Sequence, residues 1–298
     1  MTPQDFDYLR RLLRERSGLV LAAEKQYLAE SRLVPVARRH GMSSLGELIE
    51  RLQSKSPAAL IAEVVEAMTT NETFFFRDKL PFDHFRDTMM PALLAARARE
   101  KRIRIWCTAA STGQEPYSLA MIVKGMGPAI AGYRIEILAT DLASEVLEKA
   151  KAGIYTQFEV QRGLPVQLLV KFFNQQGESW QLTPEVRSMV QFRTLNLLND
   201  FSSLGSFDVV FCRNVLIYFD QDNKVAVLNR IARQMPDDGY LVLGAAETVI
   251  GLTDAFKPLA DRRGVYVRNA GVRHPSDAAD NVIRFAAPRG AVANIPRL

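Results

Sequence analysis

Arg104-Ile-Trp-Cys-Thr-Ala-Ala-Ser-Thr-Gly-Gln-Glu-Pro-Tyr-Ser118 reads as a buried strand, a tight loop of small residues and the start of a helix. Such a turn offers a ligand the free backbone N–H groups of a helix N-terminus. Glycine content narrows the choice of ligand. A dinucleotide site takes three glycines, as G-x-G-x-x-G, so that a pyrophosphate can lie against the backbone. Here Gly113 stands alone behind Ala109, Ala110, Ser111 and Thr112. A cofactor without phosphates suits this loop better, and S-adenosylmethionine is the common one.

Outward from that stretch, strand and helix patterns alternate. Strands are predicted at Ile103–Cys107, Arg134–Thr140, Phe207–Cys212, Tyr240–Ala245 and Gly264–Arg268. Helices are predicted at Pro116–Lys124, about Ala143 to Lys151 and about Gln221 to Gln234. This alternation predicts an α/β fold with a mostly parallel sheet covered on both faces. Residues from about 154 to 193 interrupt it, with a helix at Leu164–Phe173 and short strands at Ser179–Leu182 and Ser188–Arg193, and read as an inserted lobe. Residues 1–70 read as a helical unit. Thr2 and Pro3 open its first helix and Gly18 ends it. A second runs from near Glu24 to His40, with Gly41 as its left-handed stop. Ser44 and Glu47 form a capping box for a third, and Ser56-Pro57 opens a fourth. After Asp78 a helical stripe resumes through Phe82, Phe85, Met89, Leu93 and Leu94. The tail, residues 269–298, is rich in Ala, Pro, Gly and Arg without periodicity and is expected to be loosely packed.

Composition sets outer limits. The 298 residues are 48% hydrophobic and 24% charged, as in soluble globular chains. No apolar run is long enough to span a membrane, and the start carries Asp5, Asp7, Arg10 and Arg11 where a signal peptide would need an apolar core, so a cytoplasmic protein is expected. The two cysteines, Cys107 and Cys212, read as buried small side chains. Three histidines without ligand spacing give no metal site. A net charge of +5 permits an anionic partner without choosing one, and no nucleic-acid-binding signature is visible.

Three groups of residues carry candidate chemistry. Asp141 ends the second strand, where a carboxylate can accept bonds from both ribose hydroxyls or cap the helix behind it; its distance from Gly113 exceeds the dinucleotide spacing of about 20 residues. Glu115 enters its helix as a cap or as a partner for an amino group. In Asn71-Glu-Thr-Phe-Phe-Phe-Arg-Asp78, at least two phenylalanines are expected in the core, Asn71 and Thr73 can cap the next segment, and Arg77 offers a rigid fork of donors to a carboxylate. Beyond Phe211, the run Cys212-Arg-Asn-Val-Leu-Ile-Tyr-Phe-Asp220 leaves a strand at the sheet edge where ligands sit. Asn196, before it, is expected to face an adenine.

The ordered set Asn71-x-Thr73-x-x-x-Arg77, Ala109-Ala-Ser-Thr-Gly-x-Glu-Pro-Tyr-Ser118, Ala139-Thr-Asp141 and Phe211-Cys-Arg-Asn-Val-x-Ile-Tyr-Phe-Asp220 closely resembles the CheR-type chemoreceptor glutamate O-methyltransferases, over most of the chain to about Arg268. The resemblance implies a Rossmann-like S-adenosylmethionine-dependent methyltransferase domain at 71–268, an N-terminal all-helical receptor-docking domain at 1–70 and a small inserted β-subdomain. It implies S-adenosylmethionine as methyl donor and glutamates on the cytoplasmic helices of chemoreceptors as acceptors, in chemotaxis adaptation. By position, Asn71, Thr73, Arg77, Glu115, Asp141, Asn196, Leu197, Cys212 and Arg213 match cofactor contacts, and Arg77 and Tyr218 match residues acting near the methyl transfer. Gln114 stands where many relatives carry a second glutamate, with little effect expected. Some relatives grip a peptide tethered to the receptor C-terminus through a glycine-containing extension between two strands of the lobe. Here Asn174-Gln-Gln-Gly-Glu-Ser-Trp180 is compact, so independence of a tether is expected. Lys25, Arg32, Arg38 and Arg39, near the second helix, read as a solvated face or as a docking surface for acidic receptor helices. An RNA methyltransferase and a non-catalytic scaffold that binds the cofactor remain as other readings.

Overall fold

The computed structural model describes residues 1–55 and 57–269; the expected helix start at Ser56 and the tail from residue 270 onward lie outside them. Among the described residues ten strands form two sheets: β1 (Arg102–Cys107), β2 (Arg134–Asp141), β3 (Ile154–Thr156), β4 (Phe173–Gln176), β5 (Ser179–Leu182), β6 (Val190–Thr194), β7 (Val209–Cys212), β8 (Tyr240–Leu243), β9 (Phe256–Pro258) and β10 (Val265–Arg268). The large sheet has the order β6-β2-β1-β7-β8-β10-β9. Its first five strands are parallel, and β10 and β9 add antiparallel at one edge.

The chain runs outward from β1 to β2 and β6, then returns to lay β7 against the other side of β1. The connections leaving β1 and β7 therefore diverge, which opens a crevice at the carboxyl ends of these neighbours. The period-two alternation of a strand sorts side chains between two core layers. Ile105, Cys107, Val209 and Phe211 face one layer with Phe82, Phe85 and Leu119. Trp106, Val210 and Cys212 face the other with Phe201, Phe207 and Leu228. Burial on both faces explains why these strands read as nearly continuous apolar runs. Among the described residues no helix is long and apolar enough to cross a membrane.

The lobe departs from its predicted extent. Its own antiparallel sheet is β3-β5-β4, whereas β6 pairs in parallel with β2 in the large sheet, Val190 opposite Ile137 and Thr194 opposite Asp141. The boundary expected at 193 therefore runs past the lobe: the segment expected as its last strand is an edge of the principal sheet. A short strand carries no mark of its partner, and this one is identified only by pairing with β2.

The helical unit packs Leu9, Leu13, Leu33, Val36, Leu48 and Val64 into a separate core. Its first helix, Pro3–Ser17, ends at Gly18 with φ +76°. A Cβ at Gly18 would stand 3.0 Å from the Phe219 ring, so the helix end lies directly against the crevice loop. Val20 N–H donates to the Tyr218 carbonyl (2.8 Å), Asn196 Nδ2 to the Arg16 carbonyl (2.6 Å), and Arg14 pairs with Asp220 (2.7 Å). Ser44 Oγ accepts from Glu47 N–H as the capping box requires, but the Glu47 carboxylate returns to Ser43 rather than Ser44. Of the basic residues near the second helix, Arg32 donates to the Met68 and Thr69 carbonyls (2.7 and 2.9 Å), and Arg39 pairs with Glu63 while its side chain stays 60% exposed.

Candidate functional site

The loop after β1 takes its shape from backbone demands. Thr108 N–H donates to the Phe211 carbonyl and Ala110 N–H to the Thr140 carbonyl, each at 2.9 Å, tying the loop to both neighbouring strands. Ser111 turns into the left-handed region with φ +48° and Gly113 with φ +94°. At Gly113 a Cβ would meet Ala150, the Tyr117 ring and the Tyr155 hydroxyl at 3.0–3.1 Å, so the helix Gln114–Gly125 can start there only behind a glycine. Gln114 is buried and accepts from Thr112 Oγ1 at 2.7 Å.

Asp141, at the end of β2, serves the loop and the next helix together. Its Oδ2 accepts from Ser111 N–H (2.8 Å) and its Oδ1 from Ala143 N–H (3.0 Å). The capping and binding readings are therefore compatible, because each carboxylate oxygen keeps a lone pair. Burial raises the Asp141 pKa above the usual aspartate value, against the pull of those N–H groups.

Arg213 stands at the centre of the charges. Its side chain is 1% exposed. It donates to Glu115 Oε2 (2.7 Å), to Asp78 Oδ2 (2.7 Å) and to the Arg77 carbonyl (2.9 Å). Burial pushes the Glu115 carboxyl up, and Arg213 pulls it back. One Glu115 oxygen is thus committed to Arg213, a partner that its sequence neighbourhood does not announce. The Arg213 Nε N–H is buried with no partner among the described residues.

The segment from Asn71 to Asp78 closes over this pair. Of its three phenylalanines Phe75 alone is fully buried; Phe76 packs half-buried at the core edge. Two guanidiniums approach the Phe74 ring, those of Arg162 (4.4 Å from ring centre) and Arg77 (5.6 Å). Arg162 also pairs with Glu72 at 2.6 Å, so the inserted lobe clasps this segment. Arg77 spends one nitrogen on the Glu72 carbonyl (2.7 Å). Asn71 donates to Thr69 Oγ1, behind it, rather than capping the residues ahead of it, and its carbonyl accepts from Ser111 Oγ. Phe76, Asp78, Lys79, Ser111 and Asn214 all have positive φ. Strain of this kind, about 1–3 kcal/mol per residue, persists where surrounding contacts over-determine a site.

One cavity brings these parts together. Asn71, Thr73, Arg77, Glu115, Asp141, Asn196, Leu197, Arg213 and Tyr218 all line it. Cys212 does not: the position expected among the cofactor contacts is fully buried, in the core layer with Trp106, and burial pushes its thiol pKa up. The alternation along β7 turns its side chain under the cavity wall. Asn196 lines the cavity with its amide engaged, Nδ2 with Arg16 and Oδ1 with Leu198 N–H. Tyr218 is half-buried and its hydroxyl has no partner among the described residues. Sequence reasoning missed Ser17, Leu19 and Thr108, which also line the cavity, as does Asn214 from the run after the strand. The first two come from the helical unit, and no local pattern announces a wall supplied by another domain.

The donor set suits S-adenosylmethionine. That molecule carries an ammonium, a carboxylate, a sulfonium and a ribose diol. The wall presents Glu72, Glu115 and Asp141 with Arg77 and Arg213, and the unpartnered Arg213 Nε N–H is a buried donor left for an anionic group.

Comparison with known proteins agrees. Residues 71–265 match the family profile "CheR methyltransferase, SAM binding domain", and residues 4–69 match "CheR methyltransferase, all-alpha domain". The chain is 43% identical over 270 residues to Chemotaxis protein methyltransferase 1 of Pseudomonas aeruginosa, covering 89% of this chain and 97% of that one. It is 40% identical over 267 residues to Chemotaxis protein methyltransferase Cher2 of Pseudomonas putida (88% and 96%), and 38% identical over 273 residues to a chemotaxis protein methyltransferase of Vibrio anguillarum (89% and 96%). With both domains matched in order, the chain belongs to the CheR methyltransferase family.

Proposed function

We propose that this protein transfers a methyl group from S-adenosylmethionine to glutamate side chains on the cytoplasmic helices of chemoreceptors, giving glutamate methyl esters. The observation that carries the reading is the convergence of Asp141, the Glu115–Arg213 pair, Arg77 and Tyr218 on one cavity at the carboxyl edge of the sheet. Bound S-adenosylmethionine supplies a methyl activated by a sulfonium for in-line displacement by an oxygen nucleophile. The chain need not provide a base, because a free glutamate with pKa near 4.3 is already ionised at neutral pH.

What the chain must provide is position and a dry surround. Asp141 and Asn196 line the part of the wall assigned to ribose and adenine, and Glu115 with Arg213 the part assigned to the amino-acid end. Arg77, steadied by the Glu72 carbonyl and the Phe74 face, orients a carboxylate. Tyr218 gives a neutral hydrogen bond to the acceptor, because a cation pinned on the attacking oxygen would dull it. Independence of a receptor tether belongs to the same proposal. It is supported by the two-residue connection Gly177-Glu178 between β4 and β5, with Gly177 at φ +60°.

The test is transfer of labelled methyl from S-adenosylmethionine to receptor-containing membranes, with receptors truncated at their C-termini and an RNA control. Base-labile label on both receptor forms is expected. Label on RNA, or on neither, would overturn the reading.

A further inference from the structure

The loop that presents Asn214 and Tyr218 is held by a residue outside the stretches quoted above for the resemblance. Glu247 follows β8, in Gly244-Ala-Ala-Glu247. Its carboxylate accepts from the backbone N–H of Gly244, in its own turn, and from successive N–H groups of the crevice loop. Oε2 takes those of Gly244 (2.7 Å) and Asn214 (2.8 Å), and Oε1 those of Leu216 (2.8 Å) and Val215 (3.0 Å), with Ile217 N–H at 3.4 Å. Four bonds fill the lone-pair sites of a carboxylate. These donors open the 3-10 turn Leu216–Tyr218, where N–H groups lack partners within the turn and a negative charge is favoured. Asn214 has φ +57°, a left-handed conformation that asparagine takes more readily than other L residues, and the Glu247 bond to its N–H holds it there. Gly244 completes the fit: a Cβ there would stand 2.7 Å from Glu247 Oε2 and 3.0 Å from the Asn214 nitrogen.

We propose that Glu247 is a positioning residue for methyl transfer: its carboxylate fixes the backbone of residues 214–217 and thereby sets Asn214 and Tyr218 in the cavity wall. The proposal rests on the methyltransferase reading of the cavity. A glutamine at this place keeps one acceptor oxygen but turns an NH2 group toward N–H donors, so half the bonds are lost and a donor clash replaces them.

The test compares the full-length wild type with Glu247→Gln and Gly244→Ala by backbone amide exchange, by binding of S-adenosylhomocysteine and by methylation kinetics. In Glu247→Gln, exchange at residues 214–217 is expected to rise roughly ten-fold or more while β1 and β7 keep their protection. Turnover should fall by about ten- to a hundred-fold, with the KM for receptor changing far less. Gly244→Ala, which retains the carboxylate but crowds it, should reproduce the pattern and stands in if the first variant does not fold. Wild-type protection at 214–217 in both variants, wild-type turnover in both, or a rise in exchange spread evenly over all strands would overturn the proposal. A wild type that transfers no methyl would sink the functional reading instead, and the exchange pattern would still decide whether Glu247 holds the loop.

Discussion

Glu115→Gln tests the charge arrangement at its centre. Arg213 is 1% exposed and Glu115 10%, and they meet at 2.7 Å. Removing one partner of a buried pair costs about 3–5 kcal/mol when the remaining charge is left alone. Arg213 is not left alone here, because Asp78 also pairs with it at 2.7 Å, and glutamine keeps an acceptor oxygen. We therefore expect a loss of about 2–3 kcal/mol, which for a chain of this size lowers Tm by about 3–5 °C. Thermal unfolding of the ligand-free protein reads this directly. Asp78→Asn should cost less, about 1 kcal/mol, because Asp78 is 39% exposed and solvent screens its bond. A double-mutant cycle with Arg213→Met should give a coupling energy of about 1.5–3 kcal/mol between positions 115 and 213, since loss of the cation removes the need for its counter-charge. A Tm for Glu115→Gln within about 1 °C of wild type, or additive losses in the cycle, would refute the reasoning.

Asp141→Asn should weaken S-adenosylhomocysteine binding by about ten- to a hundred-fold in calorimetry, the loss of charge-assisted bonds to a diol; a smaller change would remove Asp141 from the ribose role. Burial raises the folded-state pKa of both Glu115 and Asp141, so as pH falls they take up protons while a free carboxylate, with pKa about 4, remains ionised. Ligand affinity should therefore begin to fall above that range. For Asp141 the sign for stability is opposite: its raised carboxylate opposes folding at neutral pH, and this penalty eases as pH falls toward the folded pKa, so in that window affinity should drop before Tm does. Arg32→Ala should lower Tm by about 2–5 °C through loss of its bonds to the Met68 and Thr69 carbonyls; an unchanged Tm would return Arg32 to the docking surface.

How much the sequence disclosed depends on how far apart the interacting residues lie. The loop from Thr108 to Gly113 was legible because its turn chemistry is local, and Asp141 because the end of a strand after an apolar run is a local mark. The Glu115–Arg213 pair joins residues 98 positions apart, and nothing near either residue names the other. Glu247 was missed for the same reason, although an acid three residues beyond the glycine that ends a strand is a signal worth weighing. For Cys212 the strand itself places the side chain: counting by two from Val210 puts it in the core layer, so any contact at that position is left to its backbone. Of the triple phenylalanine at least two were expected in the core: Phe75 is fully buried and Phe76 packs half-buried against it, while two arginines, one of them from the inserted lobe, approach the Phe74 ring, which no local pattern announces.

Gly18 has a consequence for engineering and for descent. Because the end of the first helix rests on Phe219 with no room for a methyl group, the two halves of this molecule cannot be traded at the connection near residue 70 as independent parts. A chimera would need the helix end, the Val20–Tyr218 bond and the aromatic side chain to come from the same parent. Lineages that recombine such genes should keep all three together or lose the reaction chamber, whose wall is shared between the halves.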